Sequence, residues 1–230
     1  MGKKKKLLRF AENETFPNLF QWPSVPSTPD MAMKGQWGAS YFKNAAPLVL
    51  ELGCGKGDYT VGLAQLDPAR NYVGVDIKGA RLWRGCRNAL ERALPNVAFA
   101  RIQVEFIEKM FAPDEVSEIW VTFPDPQPNK ARKRLTSPMF LARYARILRA
   151  GGLVHLKTDD YDLYDYTLNE VVRPAGYEIV ASTADLYREE APGFELARAV
   201  QTYYEGIWLA AGKTIKYIAF RLNGGGKPNS

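Results

Sequence analysis

The chain has very little cysteine and histidine, and Cys54, Cys86 and His155 are its whole supply in 230 residues. Two cysteines and one histidine are too few for a zinc cluster or a framework of disulfides, so we expect no metal site. The sequence also has no apolar run of transmembrane length, and the lysines at 3–6 are not followed by the apolar core of a signal peptide. We therefore expect a cytoplasmic protein with no membrane partner.

What the chain does contain is an excess of positive charge, +6 at pH 7, and part of that charge is clustered. One cluster is the lysine stretch at 3–6, which is typical of a solvated tail unless RNA is present. The other is a basic run within residues 130–134, made of Lys130, Arg132, Lys133 and Arg134. This run follows a predicted strand, at the sheet edge where parallel α/β folds bind ligands, so we expect its cations to bind phosphates.

The most informative segment is a glycine loop, residues 53–57, which follows an apolar run at 48–52. Glycines at alternate positions, Gly53, Gly55 and Gly57, let the backbone turn sharply and approach a ligand. A second apolar run ends at Asp76, where a carboxylate can accept hydrogen bonds from both hydroxyls of a ribose. A glycine-rich turn without a ligand would not explain acids at both strand ends. We therefore predict a nucleotide-cofactor loop framed by Glu51 and Asp76.

The spacing of the glycines favours one cofactor over another. A dinucleotide fold requires G-x-G-x-x-G with a helix N-terminus at the pyrophosphate, but here the third glycine comes one residue early. Glu51 would repel a phosphate at this place and suits the ammonium group of an amino-acid moiety. The pattern E-x-G-x-G-x-G resembles motif I of the S-adenosylmethionine-dependent methyltransferases, whose cofactor has no phosphate. NAD is the alternative cofactor, and Cys54 is interpreted as a small buried loop residue.

Apolar runs and helical patterns alternate along the chain, which indicates a parallel sheet. Seven strands are predicted, at 48–50, 72–75, 97–102, 119–123, 153–157, 177–181 and 215–221. We expect a Rossmann-like α/β fold of the class I methyltransferase type, with a seven-stranded, mostly parallel sheet, helices on both faces and the last strand antiparallel. The predicted division is a basic, irregular arm at 1–44, this domain at 45–222 and a flexible tail at 223–230.

A proline-rich motif, Phe123-Pro124-Asp125-Pro126, ends the fourth predicted strand. It occurs together with the glycine loop and with four short motifs: GVDIKGAR at 74–81, KRLT at 133–136, KTD at 157–159 and QTYYE at 201–205. In these motifs the chain closely resembles the bacterial tRNA (guanine-N7)-methyltransferases, from about the N-terminal arm to Arg221. The resemblance implies methyl transfer from S-adenosylmethionine to N7 of a guanine in the variable loop of tRNA.

The resemblance also implies roles for particular residues. Cofactor positions are matched by Glu51, Gly53, Gly55, Gly57, Asp76, Gln103 and Asp125. At Gln103 the family has an acid that flanks adenine, and Asp125 matches the active-site acid. Substrate positions are matched by Asp159, Thr202, Tyr203, Tyr204 and Glu205. The family's phosphate-binding lysine falls on Asn129, so we assign its role to Lys130.

Guanine N7 has an exposed lone pair and no proton, so its attack on a sulfonium methyl requires no general base. Asp125 is expected to accept hydrogen bonds from guanine N1 and N2 and to stabilise the positive charge that develops on the ring. Three alternatives remain open. They are another S-adenosylmethionine-dependent nucleic-acid methyltransferase, an NAD-dependent oxidoreductase, and an RNA-binding module without catalysis.

Overall fold

A computed structural model describes residues 3–222, with side chains from residue 7 onward, and the chain forms two compact units, Met1–Phe111 and Ala112–Ser230. The predicted tail at 223–230 lies outside the described residues, as do the side chains of the lysines at 3–6. The division into arm, domain and tail therefore stays a prediction. The two units are called unit 1 and unit 2 below.

Unit 1 is built around four parallel strands. In chain order these are β1 (Leu19–Gln21), β2 (Leu48–Leu52), β3 (Asn71–Asp76) and β4 (Val97–Arg101). Its α-helices are α1 (Lys3–Asn13), α2 (Asp58–Leu66) and α3 (Gly79–Glu91). The strands are ordered β1-β4-β3-β2, and every residue of β2 and β3 is buried. Such continuous burial is why these strands have few polar positions, as parallel strands covered on both faces do.

The segment at 1–44 was expected to be irregular, and this expectation is wrong for its described part. It contains α1, β1 and a π-helical segment, Trp37–Phe42, and β1 extends the parallel sheet by pairing Leu19 with Phe99 of β4. The Trp37 ring is fully buried and stacks on Phe111 at 5.3 Å between ring centroids. Burial of a few aromatic side chains thus orders a segment whose proline content predicted a loose arm.

Unit 2 contains the second half of the α/β pattern. Its strands are β5 (Val116–Thr122), β6 (Leu148–Thr158), β7 (Glu178–Thr183) and β8 (Lys216–Arg221). Its α-helices are α4 (Pro138–Tyr144), α5 (Tyr161–Asp165), α6 (Glu195–Ala199) and α7 (Tyr203–Ala210). Shorter helical segments of unit 2 are the π-helical Tyr166–Val172, which continues α5, and the 3₁₀ turn Ala131–Lys133. Another 3₁₀ turn, Val104–Lys109, belongs to unit 1.

The strands of unit 2 are ordered β5-β6-β8-β7. β5 and β6 are parallel, and the last strand, β8, runs antiparallel to both β6 and β7, as predicted. The described residues form eight strands rather than seven, and the additional one is β1. The α/β architecture is therefore confirmed, with one strand more than the apolar runs indicated.

Candidate functional site

Three predicted cofactor residues lie at the same edge of the sheet of unit 1. Glu51 and Asp76 lie at or next to the carboxyl ends of β2 and β3, and Gln103 follows β4 by two residues. These strands are neighbours and parallel, with Glu51 opposite Gly74 in the β2–β3 register. Because parallel strands end at one edge, the fold brings together side chains that are far apart in sequence, in the place where α/β sheets bind ligands.

The glycines of the glycine loop serve two different physical needs. Gly57 has φ 73°, and a Cβ on it would lie 2.5 Å from the Phe99 ring. Because glycine has no Cβ, α2 can begin close against β4. Gly55 also has a positive φ, 58°, but a Cβ there would meet nothing within 4 Å. The open space beside Gly55 is available to a ligand that approaches the backbone.

Asp76 is held in place by the loop that it was predicted to serve. Its Oδ2 accepts a hydrogen bond from the Gly55 backbone N–H at 2.9 Å, and its Oδ1 accepts one from the Lys78 N–H at 2.7 Å. The residue is 9% exposed. The carboxylate is therefore fixed in orientation beside the open position at Gly55, and each of its oxygens has lone-pair capacity for more than one donor.

Glu51 has a structural contact that the sequence did not reveal. Its Oε2 accepts hydrogen bonds from the backbone N–H of Thr60, at 2.8 Å, and from the Thr60 hydroxyl. The carboxylate thereby anchors the first turn of α2 to the end of β2. Cys54 lies buried between these elements, and burial, followed by the charges of Glu51 and Asp76, raises the pKa of its thiol. A thiol in that state is a poor nucleophile, which agrees with its interpretation as a small loop residue.

In unit 2, the Pro-Asp-Pro turn, residues 123–127, carries Asp125 at the end of β5. Asp125 is exposed, and its Oδ1 accepts a hydrogen bond from the Gln127 N–H at 3.2 Å. Phe123 and Gln127, on either side of it, have φ values of 46° and 47° although neither is a glycine. Such conformations cost about 1–3 kcal/mol each and occur disproportionately at functional sites. The Phe123 N–H donates to the Lys157 carbonyl at 2.8 Å, which ties the strained turn to β6.

The basic run divides into two groups. Lys130, Arg132 and Lys133 are exposed around the 3₁₀ turn, as phosphate-binding side chains must be. Arg134 is only 8% exposed, so its predicted role as a phosphate ligand does not fit the structure. Its guanidinium lies 4.3 Å from the centre of the Tyr166 ring, and its Nε donates to the Pro126 carbonyl at 3.0 Å. Arg134 therefore fixes the Pro-Asp-Pro turn rather than facing solvent.

The remaining predicted substrate residues lie around β6 and α7. Asp159 follows β6 directly and pairs with the ammonium of Lys213 at 3.0 Å. Thr202 is the N-cap of α7, and its hydroxyl accepts a hydrogen bond from the Glu205 N–H in a capping box. Tyr203 and Tyr204, in the first turn of that helix, are 68% and 55% exposed. Two aromatic rings are thus presented on the surface of unit 2.

Glu205 differs from its predicted role, because it is fully buried. Its Oε1 lies 2.7 Å from the Lys157 ammonium and accepts a hydrogen bond from the Tyr187 hydroxyl at 2.7 Å. Lys157 is fully buried as well and also donates to the carbonyls of Ala197 and Val200, at 2.6 and 2.9 Å. Glu205 therefore joins α7 to β6 from inside the unit. Two sequence features could have suggested this pair: Lys157 lies within an apolar strand, where a cation needs a counter-ion, and Glu205 is the acid of a capping box.

The lone histidine is also structural. His155 is buried, its Nδ1 lies 2.8 Å from the Tyr217 hydroxyl, and its ring stacks on Trp120 at 3.9 Å. This agrees with its interpretation as a packed residue. Within residues 3–222, no group of three or more His, Cys, Asp or Glu side chains could hold a metal ion. Over the same residues, no helix combines the length and apolar character needed to cross a membrane.

Known proteins resemble this chain along most of its length. A family model described as "Putative methyltransferase" matches residues 45–218. A protein of Christiangramia forsetii named tRNA (guanine-N(7)-)-methyltransferase is 49% identical, over 96% of this chain and 100% of its own length. A protein of the same name from Bacteroides fragilis is 46% identical, over 96% of this chain and 87% of its own length.

Solved structures resemble the chain in fold at much lower identity. The 16S rRNA methyltransferase KamB superposes with a TM-score of 0.61 at 18% identity, over 82% of this chain and 92% of its own. The 16S rRNA (adenine(1408)-N(1))-methyltransferase of Catenulisporales acidiphilia, solved with its cosubstrate SAM, gives a TM-score of 0.56 at 15% identity, over 90% and 98%. These likenesses confirm the Rossmann-like class I methyltransferase fold.

Proposed function

Because the chain belongs to the tRNA (guanine-N7)-methyltransferase family, we propose that it transfers the methyl group of S-adenosylmethionine to N7 of a guanine in the variable loop of tRNA. The observation that carries this proposal is an identity of 49% along the whole length of a relative with that name. Such a match includes the regions that carry the glycine loop, the Pro-Asp-Pro turn and the QTYYE motif, so it extends beyond the shared fold.

The residues of unit 1 fit S-adenosylmethionine. Gly55 leaves open space beside its backbone, and Asp76, fixed next to it, is placed to accept hydrogen bonds from ribose hydroxyls. Glu51 adds a second carboxylate at this sheet edge, which suits the ammonium of the methionine moiety and disfavours a pyrophosphate. Gln103 would meet the adenine through its amide. We assign cofactor binding to these residues.

Methyl transfer to guanine N7 requires the protein to align the reacting groups and to stabilise the charge that develops. When bound, S-adenosylmethionine supplies an electrophilic methyl group. Guanine N7 has no proton to lose, so Asp125 does not need to act as a general base. Its exposed carboxylate can accept hydrogen bonds from N1–H and the N2 amino group of guanine. In that position it orients the base and stabilises the positive charge of the methylated ring. The strained turn, held by Arg134 and β6, keeps this carboxylate in one orientation.

The surface of unit 2 supplies groups suited to RNA. Lys130, Arg132 and Lys133 are exposed cations that can neutralise phosphates. Tyr203 and Tyr204 offer exposed rings on which bases can stack. We assign substrate binding to these residues and to Asp159, and a supporting role to Thr202 and Glu205, whose capping box sets the start of α7.

The test is to incubate the purified chain with unmodified tRNA and S-adenosylmethionine and to map the methylated nucleosides. We expect 7-methylguanosine in the variable loop and none in a tRNA in which that guanine is replaced by adenine. Methylation at another atom would instead indicate a different nucleic-acid methyltransferase. Absence of methyl transfer with retained tRNA binding would indicate an RNA-binding module.

A further inference from the structure

A cavity of about 740 Å³ lies on unit 1 outside the set of residues assigned to the cofactor. Its lining comes from α1, the glycine loop and the first turns of α3, and its charged members are Arg9, Lys56, Lys78, Arg81 and Arg84. Among the residues that the structure describes, no acidic side chain lines it, and the first turn of α3 contains no acid. We call this cavity the α1–α3 cleft.

The cleft differs in chemistry from the cofactor site. The cofactor residues are acidic or neutral, and neither Glu51 nor Asp76 lines the cleft, whereas every charged group of its lining is a cation. S-adenosylmethionine carries a net positive charge at its sulfonium and ammonium groups, with a single carboxylate to balance them. A wall of arginine and lysine therefore suits a polyanion rather than this cofactor.

Three cations of the cleft have no counter-ion among the described side chains, those of residues 7–222. No ion pair or side-chain hydrogen bond there engages Lys78, Arg81 or Arg84, and all three are exposed. Arg9 is positioned by its guanidinium, which lies 4.4 Å from the Trp83 ring centre and donates to the Ala80 carbonyl at 3.4 Å. Cations that line one cavity without counter-ions favour an anionic partner, which lowers their electrostatic energy.

α1 is attached to α3 by specific contacts, so the cleft is a formed feature of the fold. The Asn13 amide donates to the Gly79 carbonyl at 3.0 Å, and Glu12 accepts a hydrogen bond from the Trp83 indole. A Cβ on Gly79 would lie 2.8 Å from the Phe10 ring, which shows how closely α1 covers the start of α3. Together these contacts hold the α1 wall of the cleft against α3.

We propose that the α1–α3 cleft binds the phosphodiester backbone of the tRNA, as a second RNA-binding surface in addition to the basic run of unit 2. The inference rests on the proposed function, since it takes tRNA as the polyanion. Arginine is suited to this role because its planar guanidinium engages phosphate oxygens in pairs. The phosphates, rather than the bases, are the ligand, so binding here adds affinity and orientation but no sequence preference.

The test compares two double variants that remove the same charge from the same helix region. Arg81→Gln/Arg84→Gln alters the cleft, whereas Arg87→Gln/Arg92→Gln is the control, because those arginines lie outside the lining. Each phosphate contact contributes about 0.9 to the slope of log affinity against log salt. We therefore expect the cleft variant to lose about 1–2 units of that slope and roughly 10- to 30-fold in tRNA affinity at physiological salt. The control should stay within about twofold of the wild type.

Two further readouts separate the possible failures. Calorimetry should give the same affinity for S-adenosylmethionine in wild type and cleft variant. If the cleft variant keeps the wild-type salt slope and tRNA affinity while the wild type methylates tRNA, the cleft inference is overturned and the proposed function stands. A loss of cofactor affinity at constant tRNA affinity would overturn it too, by assigning the cleft to the cofactor. Failure of the wild type to bind or methylate tRNA would instead refute the proposed function.

Discussion

Replacing Glu205 by glutamine removes one charge from the interior of unit 2 with little change of shape. The amide oxygen of glutamine can accept either from the Tyr187 hydroxyl, as Oε1 does, or from the Thr202 N–H of the capping box, as Oε2 does at 3.3 Å, but not from both. The main change is therefore the loss of the buried ion pair with Lys157. We expect a large loss of stability, because the ammonium of Lys157 is left in the interior without its counter-ion.

The magnitude follows from burial and from the contacts that remain. Both partners are fully buried, 2.7 Å apart, and removing one partner of such a pair typically costs about 3–5 kcal/mol. Two carbonyls, those of Ala197 and Val200, continue to accept from the Lys157 ammonium. These contacts place the expected loss at the lower end, about 3 kcal/mol.

The loss should also depend on pH. Burial lowers the pKa of Lys157 below its ordinary 10.5, and the charge of Glu205 opposes that shift. Without Glu205 the folded-state pKa falls further, so the unfolded chain binds more protons than the folded one between that value and 10.5. Stability of the variant therefore rises with pH through this window, as the folded state sheds the unpaired charge. The deficit relative to wild type should be largest near neutral pH and smaller near pH 10.

Urea denaturation of wild type and variants, at neutral and alkaline pH, measures these differences. Glu178→Gln is the matched control, since its partner Arg221 lies 3.5 Å away and both side chains are solvent-accessible, 64% and 39% exposed. An exposed pair is worth at most about 1 kcal/mol. Adding Lys157→Met to Glu205→Gln should recover part of the loss. The reasoning fails if Glu205→Gln costs no more than Glu178→Gln, or if its cost does not change with pH.

Three other changes test the site and the fold. Asp76→Ala should weaken S-adenosylmethionine binding by about 1–3 kcal/mol, because the ribose hydroxyls lose a charged acceptor; unchanged affinity in calorimetry would refute the ribose assignment. Asp125→Asn should slow single-turnover methyl transfer far more than it weakens cofactor binding, and a wild-type rate would reduce Asp125 to a turn residue. Burial raises the pKa of Tyr41 to about 12, so the stability it contributes is present below about pH 10 and is lost as pH rises through 12. In an alkaline titration followed by circular dichroism, the Tyr41→Phe variant should therefore lose folded structure less steeply with pH than the wild type does. An unchanged profile would contradict this.

The sequence alone determined the features that depend on local backbone chemistry. Glycines at 53, 55 and 57 predicted a sharp turn, and all three have φ values in the left-handed region, which glycine adopts without cost. Apolar runs predicted the strands because burial on both faces leaves few polar positions. Because Glu51 and Asp76 lie at the ends of two of these apolar runs, the sequence also predicted that they frame the glycine loop. The short motifs identified the family, which the comparisons confirm.

Only the tertiary structure decided which charged and aromatic residues are buried. Nothing near Arg134 or Glu205 in the sequence shows that Tyr166 covers one and Lys157 neutralises the other, since these partners are 32 and 48 positions away. Nor did residues 1–44 reveal that Trp37 packs on Phe111. An aromatic side chain is stable on the surface or in the interior, whereas a charged one is stable in the interior only with a counter-ion or hydrogen-bond partners, and distant elements supply these. Periodicity and spacing describe a residue's neighbours along the chain, whereas burial is set by its neighbours in space.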